Sequence, residues 1–201
     1  MYILGHIGFG YILYKLLNRN KNYDLTLVFL YSILPDIDIL IPYLYHRGPT
    51  HSFIFPTLIL LIYLIFDPLK IFYSIPIYSH ILCDIIAQPM DYSYMKLLWP
   101  ITNIKYQINP IVIMRTYEES YLEISIFIIS AIIFMKFDYK KFIVNSNSIL
   151  LFLIIIPLTI SSIFANLIGM NYILNIFHIL LDVFFIYVLL KKLNYTSFLK
   201  F

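Results

Sequence analysis

The sequence predicts an all-α membrane protein, a polytopic helical bundle of about six or seven spans. Of the 201 residues, 61% are hydrophobic and only 12% are charged, and the mean hydropathy is +0.85, far from the composition of soluble domains. The apolar residues also form long runs separated by short polar segments. We expect a single membrane-embedded domain over residues 1–201, with the polar motifs in residues 1–119 and additional transmembrane helices in residues 120–192.

Seven apolar runs are long enough, or nearly so, to cross a bilayer, whose hydrocarbon core takes about 20 helical residues. They comprise residues 2–17, 24–45, 53–66, 71–90, 120–136, 149–168 and 172–190. The second run is interrupted at Pro35, because proline lacks a backbone N–H and breaks helices. The third run is short and has Pro56 near its start. We therefore expect seven spans, or six spans and a re-entrant segment.

The basic residues predict the orientation in the membrane, since short cytoplasmic loops are enriched in Lys and Arg. They cluster after the first, fifth and last runs: Lys15, Arg19, Lys21, Lys136, Lys140, Lys141, Lys191, Lys192 and Lys200. Placing these clusters in the cytoplasm puts the N-terminus outside and the C-terminus inside. The net charge is only +3 and the basic residues form no stripe, so we do not expect a nucleic-acid partner.

Acidic and imidazole side chains interrupt the apolar runs near their predicted outer ends. His80 and Asp84 are four residues apart, so they share one helix face and can bind one metal or each other. An aspartate inside a span is costly and indicates function by default. Asp36 and Asp38 suit metal ligation if an irregular turn brings both inward. A His–Asp hydrogen bond without metal, and a solvated cap at Asp36 and Asp38, are the alternatives.

The stretch from His46 to Ser52 places two imidazoles, a guanidinium and two hydroxyls in a mostly apolar chain, and Gly48-Pro49 marks a turn within it. His51 is a candidate ligand at the outer start of the third run. Arg47 is a natural clamp for a phosphate or carboxylate, because its planar guanidinium matches such anions; contact with a lipid headgroup is the alternative. We expect His46 at the surface or beside a ligand.

Six of these residues are predicted to converge on one outer-face site: His6, Asp36, Asp38, His51, His80 and Asp84. Three imidazoles and three carboxylates suit two or more divalent ions of the zinc class. Buried carboxylates without a cation would be costly, and divalent ions would offset their charge. The convergence therefore predicts a metal centre.

Further polar residues leave their roles open. His178 and Asp182 repeat the four-residue spacing in the last run, where they either pair with each other or form the floor of the same site. Residues 91–119 lie on the outer side and are too many for a simple connection, so they are expected to cover the site. Candidates there for a base, a further ligand or solvated loop residues are Glu118, Glu119 and Glu123.

The polar motifs occur in an order typical of one family. They are His6, Leu34-Pro35-Asp36-Ile37-Asp38, His46-Arg47-Gly48-Pro49-Thr50-His51-Ser52, His80-Ile81-Leu82-Cys83-Asp84 and Leu97-Leu98-Trp99-Pro100. Over about the first hundred residues the chain resembles the inner-membrane metal-dependent hydrolases that include the LexA-binding membrane protein. It is more distantly similar to the zinc-dependent phospholipases C and the single-strand-specific zinc nucleases. The resemblance implies an all-helical zinc site and, by motif position, ligand roles for the six converging residues.

The predicted activity is metal-assisted hydrolysis of an ester, preferably a phosphoester of a lipid or lipid-linked substrate that arrives from the outer leaflet. A metal-activated water would be the nucleophile and Arg47 would bind the substrate anion. The candidates for the base are Asp36, Asp38 and Asp84. Two other functions stay open: a transporter or ion pathway, because intramembrane His and Asp also relay protons and metals, and a non-catalytic scaffold whose metal is structural.

Overall fold

The computed structural model of the chain is mostly helical, which confirms the all-α prediction. It describes residues 3–18, 23–44, 46–86, 94–107, 116–145, 150, 153–160, 163 and 172–198. One short antiparallel ladder, β1 (Tyr94–Met95) with β2 (Tyr106–Gln107), accompanies the helices in this part of the chain. The ladder lies within the segment that was predicted to cover the site.

The α-helices are α1 (Ile3–Leu17), α2 (Leu25–Ile33), α3 (Ile54–Phe66), α4 (Ser74–Ile86), α5 (Thr116–Phe137), α6 (Tyr139–Asn145) and α7 (Tyr172–Phe198). Residues 153–160 are also helical. The 3-10 helices are Leu34–Leu40, Pro49–His51 and Pro68–Tyr73. Helix α5 begins before the predicted boundary at residue 120, and α7 extends beyond the predicted boundary at residue 190.

Helix α2 is short because its sequence contains both a start and a stop signal. Asp24 caps its N-terminus, where the side-chain Oδ1 accepts a hydrogen bond from the backbone of the first turn at 2.8 Å. Pro35 ends the α-helical hydrogen bonding, and the chain continues as the 3-10 helix Leu34–Leu40. The predicted interruption is confirmed, and residues 24–45 are not one continuous α-helical span. Both acids of the 3-10 helix are buried.

Helix α1 lies at the centre of the described bundle and packs against α2, α4 and α5. Gly10 permits the close approach. A Cβ atom at this position would overlap the Ser32 side chain of α2 and would lie 3.1 Å from Oγ of Ser79 on α4. The helices that supply most of the polar motifs are therefore held at a separation that only glycine allows.

Two helices among the described residues are long and apolar enough to cross a membrane. They are Pro68–Ile86, which joins a 3-10 helix to α4, and Ile173–Lys192 within α7. Helices α1 and α3 are apolar but shorter. The prediction of six or seven complete spans is not confirmed, and much of residues 149–168 lies outside the described residues.

A buried ionic cluster fastens the end of α1 that is remote from His6. Asp138, at the corner between α5 and α6, accepts hydrogen bonds of 2.6 Å from the hydroxyls of Tyr11 and Tyr23. Lys15 forms an ion pair with the same carboxylate at 2.7 Å. Because Asp138 is buried, these three donors replace its hydration. The contacts fix α1 against the α5–α6 corner.

Candidate metal centre

Four separate segments bring buried polar side chains together near the start of α1. Helix α1 supplies His6, the 3-10 helix after α2 supplies two aspartates, the turn before α3 supplies one histidine, and α4 supplies a histidine and an aspartate. These six residues are at most 5% exposed: His6, Asp36, Asp38, His51, His80 and Asp84. The structure thus places all six predicted site residues in one cluster.

His80 is oriented by the irregular end of α2. Because α-helical hydrogen bonding stops at Ile33, carbonyls in the last turn of α2 lack a full set of helical partners. The Ser32 carbonyl accepts a hydrogen bond from Nδ1 of His80 at 2.8 Å. A carbonyl only accepts, so the proton is on Nδ1 and the lone pair is on Nε2. This is the tautomer that binds a metal through Nε2.

His51 is held in the same manner by a carboxylate. Its Nδ1 lies 3.3 Å from Oδ2 of Asp38, and Thr50 donates a hydrogen bond to the same oxygen at 2.8 Å. Its Nε2 lies 3.2 Å from Nε2 of His80. Carboxylate–histidine pairs of this kind orient metal-binding imidazoles. The two imidazoles therefore direct the same ring nitrogen at one point.

Two carboxylates complete the set of donors around that point. Oδ1 of Asp36 lies 3.4 Å from Nε2 of His51 and 3.4 Å from Nε2 of His80. Oδ2 of Asp84 lies 3.4 Å from His51 and 3.7 Å from His80. A tetrahedral zinc site with bonds of about 2.1 Å has donor–donor separations of about 3.4 Å. The five separations that involve a histidine nitrogen, 3.2–3.7 Å, thus suit ligands of one tetrahedral divalent ion.

His6 lies beside this set of donors. Its Nε2 is 3.4 Å from Oδ1 of Asp84, the oxygen that does not face His51, and its ring stacks on His80 with centroids 3.6 Å apart. Nitrogen and oxygen donors of His6, His80 and Asp84 are close enough to share an ion. Glu123 on α5 supports the position of His6, because its carboxylate accepts a hydrogen bond from the Gly5 backbone at 2.9 Å.

A second group of donors involves His46, for which we expected only a surface position or a place beside a ligand. Nδ1 of His46 lies 3.1 Å from Oδ1 of Asp38 and 4.0 Å from Oδ1 of Asp36. Asp36, His46 and His51 are also close enough together to hold an ion. His46 is exposed, unlike the other members of the cluster. It lies between the buried carboxylates and the surface.

Arg47 enters the cluster from a left-handed backbone conformation. Its φ of 63° is uncommon for a residue with a side chain and is typical of functional sites held by the surrounding structure. The Nη2 atom lies 3.8 Å from Oδ1 of Asp84, and the side chain is only 9% exposed. The guanidinium is thus placed next to the Asp84 carboxylate, at the edge of the cluster.

The charges of the cluster favour a cation. Three buried carboxylates face one guanidinium, so one divalent ion would balance the remaining charge. Burial disfavours the protonated form of His51, but its hydrogen bonds to Asp36 and Asp38 outweigh burial and raise the pKa of His51 to about 9. The carboxylates thus make a positive charge favourable at the position to which both imidazoles point.

The segment predicted to cover the site supports one of its walls. The backbone N–H of Phe53, directly after the turn that carries His51, donates to the Leu97 carbonyl at 2.8 Å. The Leu97-Leu98-Trp99-Pro100 motif therefore packs against the start of α3. The side chains of Glu118 and Glu119, and all of residues 108–115, lie outside the described residues.

His178 and Asp182 have partners outside the cluster. Nδ1 of His178 donates to the Leu174 carbonyl within α7 at 2.9 Å. Both carboxylate oxygens of Asp182 lie within hydrogen-bonding distance of the Thr159 hydroxyl, at 2.8 and 3.0 Å. Asp182 thus links α7 to residues 153–160, an arrangement that the four-residue spacing did not predict.

Two parts of the site were missed in the sequence. A backbone carbonyl such as that of Ser32 leaves no residue-specific signal; Pro35 indicates only that carbonyls near the end of α2 lose helical partners. Glu123 was a candidate, but as a base or ligand. In the structure its carboxylate binds a backbone N–H of the first turn of α1, where a negative charge also favours the helix dipole.

Fold and site together define an all-α protein with a buried cluster of histidine and aspartate residues. A family model described as YdjM inner membrane protein matches residues 1–166, so the chain belongs to this family of membrane proteins. The match agrees with the inner-membrane family that the motif order indicated. No curated protein and no solved structure matches the chain.

Proposed function

We propose that this protein is a membrane-bound metal-dependent hydrolase that acts on a phosphoester in a lipid or lipid-linked substrate. The observation that carries the proposal is the spacing of donor atoms around His51 and His80: their Nε2 atoms and the carboxylate oxygens of Asp36 and Asp84 give five separations between 3.2 and 3.7 Å. This spacing fits a tetrahedral ion of the zinc class. A buried cationic Arg47 beside the donors adds a place for an anionic substrate.

A divalent ion, when bound, supplies a nucleophilic water at neutral pH and polarises a phosphoryl oxygen. The side chains of the cluster would hold the ion, orient its ligands and bind the substrate. Asp36, His51, His80 and Asp84 would hold the ion, while Asp38 and the Ser32 carbonyl fix the two imidazoles. Arg47 would bind the phosphoryl oxygens in a bidentate manner. One of the three aspartates would also accept the proton of the attacking water, the role for which the sequence offers Asp36, Asp38 and Asp84 as candidates.

The number of ions is part of the proposal. The set of Asp36, His51, His80 and Asp84 has donors for one ion. One divalent ion together with Arg47 also balances the three negative charges of the aspartates. The group of Asp36, His46 and His51 offers donors for a second, in keeping with the predicted two or more ions. Asp36 and His51 belong to both groups, so a second ion would share ligands with the first.

A transport pathway is less well supported, because the two polar clusters along α1 are separated by tight packing on its α2–α4 face and by apolar side chains on its α5 face. Between His6 and the Asp138 cluster, Gly10 lies against Ser32 and Ser79 with no room for a Cβ atom. The two serine hydroxyls donate to the carbonyls of Val28 and Pro76 within their own helices.

A scaffold with a structural metal would require a closed coordination sphere. The activity test below distinguishes it from a hydrolase.

The first test is the metal content of the purified protein. We expect near-stoichiometric divalent metal in the wild type and its loss in His51→Ala and His80→Ala, because each variant removes one donor. His178→Ala is the control, since this histidine is also buried but bonds to its own helix. A wild-type protein that binds no divalent metal on dialysis against zinc would overturn the proposal.

The second test is hydrolysis of a panel of phospholipids and lipid-linked phosphates, followed by release of headgroup or phosphate. Asp36→Ala and His80→Ala should abolish release, whereas Asp182→Asn should retain it. Release that persists unchanged in both site variants would exclude these residues from catalysis. A wild type that binds metal at full occupancy but hydrolyses nothing in the panel would favour the scaffold.

A further inference from the structure

An apolar cavity lies between α1, α2, α5 and α7, and none of the six clustered histidine and aspartate residues is in its lining. It has a volume of about 200 Å³ and is lined mainly by aromatic and aliphatic side chains, among them Ile7, Phe29, Phe134, Leu181 and Phe185. An apolar cavity of about 150 Å³ contains no water, because nothing in it can hydrogen-bond water, and it has room for a small hydrocarbon. The cavity is therefore suited to hydrocarbon.

The polar atoms in the cavity lining already have partners within the protein. The hydroxyl of Tyr11 donates to Asp138, and that of Ser130 donates to the Phe127 carbonyl. Neither needs a ligand to satisfy its hydrogen bonding. A polar ligand would gain little in this cavity and would lose its hydration.

The cavity continues into a groove on the surface of the helices. The two share four lining residues, Phe127, Ala131, Met135 and Leu180, and the groove has a volume of about 630 Å³. Exposed apolar side chains surround it, including Ile132 and Met135 on α5 and Leu180 on α7. In a membrane protein such a surface faces lipid, so the groove opens towards the acyl chains of the bilayer.

A single charged residue, Lys136, lies in the lining of the groove. It belongs to the last turn of α5, two residues before Asp138 and thus at the end of the bundle remote from His6. Lysine near the end of a membrane helix extends its amine to the interface and attracts anionic headgroups. An apolar groove with a cation at one end is complementary to a phospholipid, whose phosphate lies at the interface above its acyl chains.

We propose that the cavity and groove bind one acyl chain of an anionic phospholipid whose phosphate is paired with Lys136. The site shares no residue with the candidate metal centre and does not depend on the proposed hydrolase activity. By the distribution of basic residues the lipid belongs to the cytoplasmic leaflet. An acyl chain held there would fill the space that the described side chains of α5 and α7 leave open.

The test uses the full-length protein in nanodiscs of phosphatidylglycerol that carries a photoreactive diazirine in one acyl chain. After illumination, mass spectrometry should locate the label on the cavity and groove residues of α5 and α7, such as Met135 and Leu180. Lys136→Gln should weaken retention of this lipid about tenfold, as expected for a lost charge-assisted contact. Label distributed evenly over exposed residues outside the groove, such as Ile129 and Ile173, would overturn the proposal.

A matched pair of variants separates the cavity from general lipid contact. Ala131→Phe fills the junction of cavity and groove and should abolish cavity labelling. Ile129→Phe adds the same side chain to an exposed position of α5 outside both and should leave labelling unchanged. Cavity labelling as strong as in the wild type in a folded Ala131→Phe variant would contradict the proposal. If this variant does not fold, the wild-type label positions and the lipid retention of Lys136→Gln test the proposal. Disulfide-linked dimers of Met135→Cys without lipid label would show that a second copy occupies the groove instead.

Discussion

Each ring nitrogen of His51 lies close to a different carboxylate, so the position of the carboxylate distinguishes Asp36 from Asp38. Asp36 lies 3.4 Å from Nε2, on the side of the converging donors, whereas Asp38 lies 3.3 Å from Nδ1, on the other side of the ring. We therefore assign the ligand role to Asp36 and an orienting role to Asp38. The sequence offered both as ligands, because two acids in one irregular turn are equivalent without coordinates.

This assignment predicts different consequences for the two aspartates. Asp38→Asn retains an acceptor for Nδ1 of His51 and should weaken zinc binding by about 10- to 100-fold, the usual effect of altering an orienting partner. Asp36→Asn removes a charged donor and should weaken binding more. Competition with a chromophoric chelator measures both, and Asp182→Asn should bind zinc like the wild type. A larger loss in Asp38→Asn than in Asp36→Asn would reverse the two roles.

At the scale of single residues, the sequence predicted which side chains converge but not how they do so. His6, His80 and Asp84 could be recognised because polar groups in apolar helices are costly and require a reason. The left-handed backbone of Arg47 and the carbonyl partner of His80 could not be predicted, because both depend on contacts between segments that are distant in the chain. The same limit applies to Asp182, whose partner Thr159 is on another segment.

At the scale of elements, the position of α1 links the site to the rest of the bundle. The Asp138 cluster fixes one end of this helix, Glu123 binds the backbone at the other, and Gly10 sets its distance from α2 and α4. The sequence predicted the helices and the break at Pro35 from local signals. The close contact at Gly10 was not predictable, because it is a property of three packed elements.

Gly10→Ala should therefore disturb both stability and the site. The added methyl group overlaps Ser32 and lies close to Ser79, and overpacking of this kind costs about 1–3 kcal/mol. Thermal unfolding in detergent should show a lower midpoint, and zinc affinity should fall because α1 and α4 carry His6 and His80. Gly8→Ala is the comparison variant and should lose less stability, since its methyl group would lie 3.0 Å from Oγ of Ser130 and 3.3 Å from the Ile126 carbonyl oxygen, a tight contact but not the overlap found at Gly10. Equal stability of the two variants would contradict the packing argument.

At the scale of the whole molecule, the histidine–aspartate cluster and Lys136, at one end of the groove, lie towards opposite ends of α1. His6 lies near the start of this helix, and Lys15 lies in its last turn beside Asp138. Lys136 lies close to Asp138 in the chain, at the end of α5. The side of the membrane on which Lys15 and Lys136 lie therefore determines the side from which the metal centre is reached.

The distribution of basic residues predicts that this side is the cytoplasm and that the metal centre faces outwards. A reporter fused after Lys192 should therefore be cytoplasmic. Ile104 is exposed and lies in the segment that packs against the wall of the site. An Ile104→Cys variant should react with an impermeant thiol reagent added outside intact cells. The native Cys83 is buried, so the wild type should remain unlabelled under the same conditions. An external reporter together with a protected Ile104→Cys would invert the orientation. The proposed hydrolase would then take its substrate from the cytoplasmic leaflet, and the lipid proposed at Lys136 would belong to the outer leaflet.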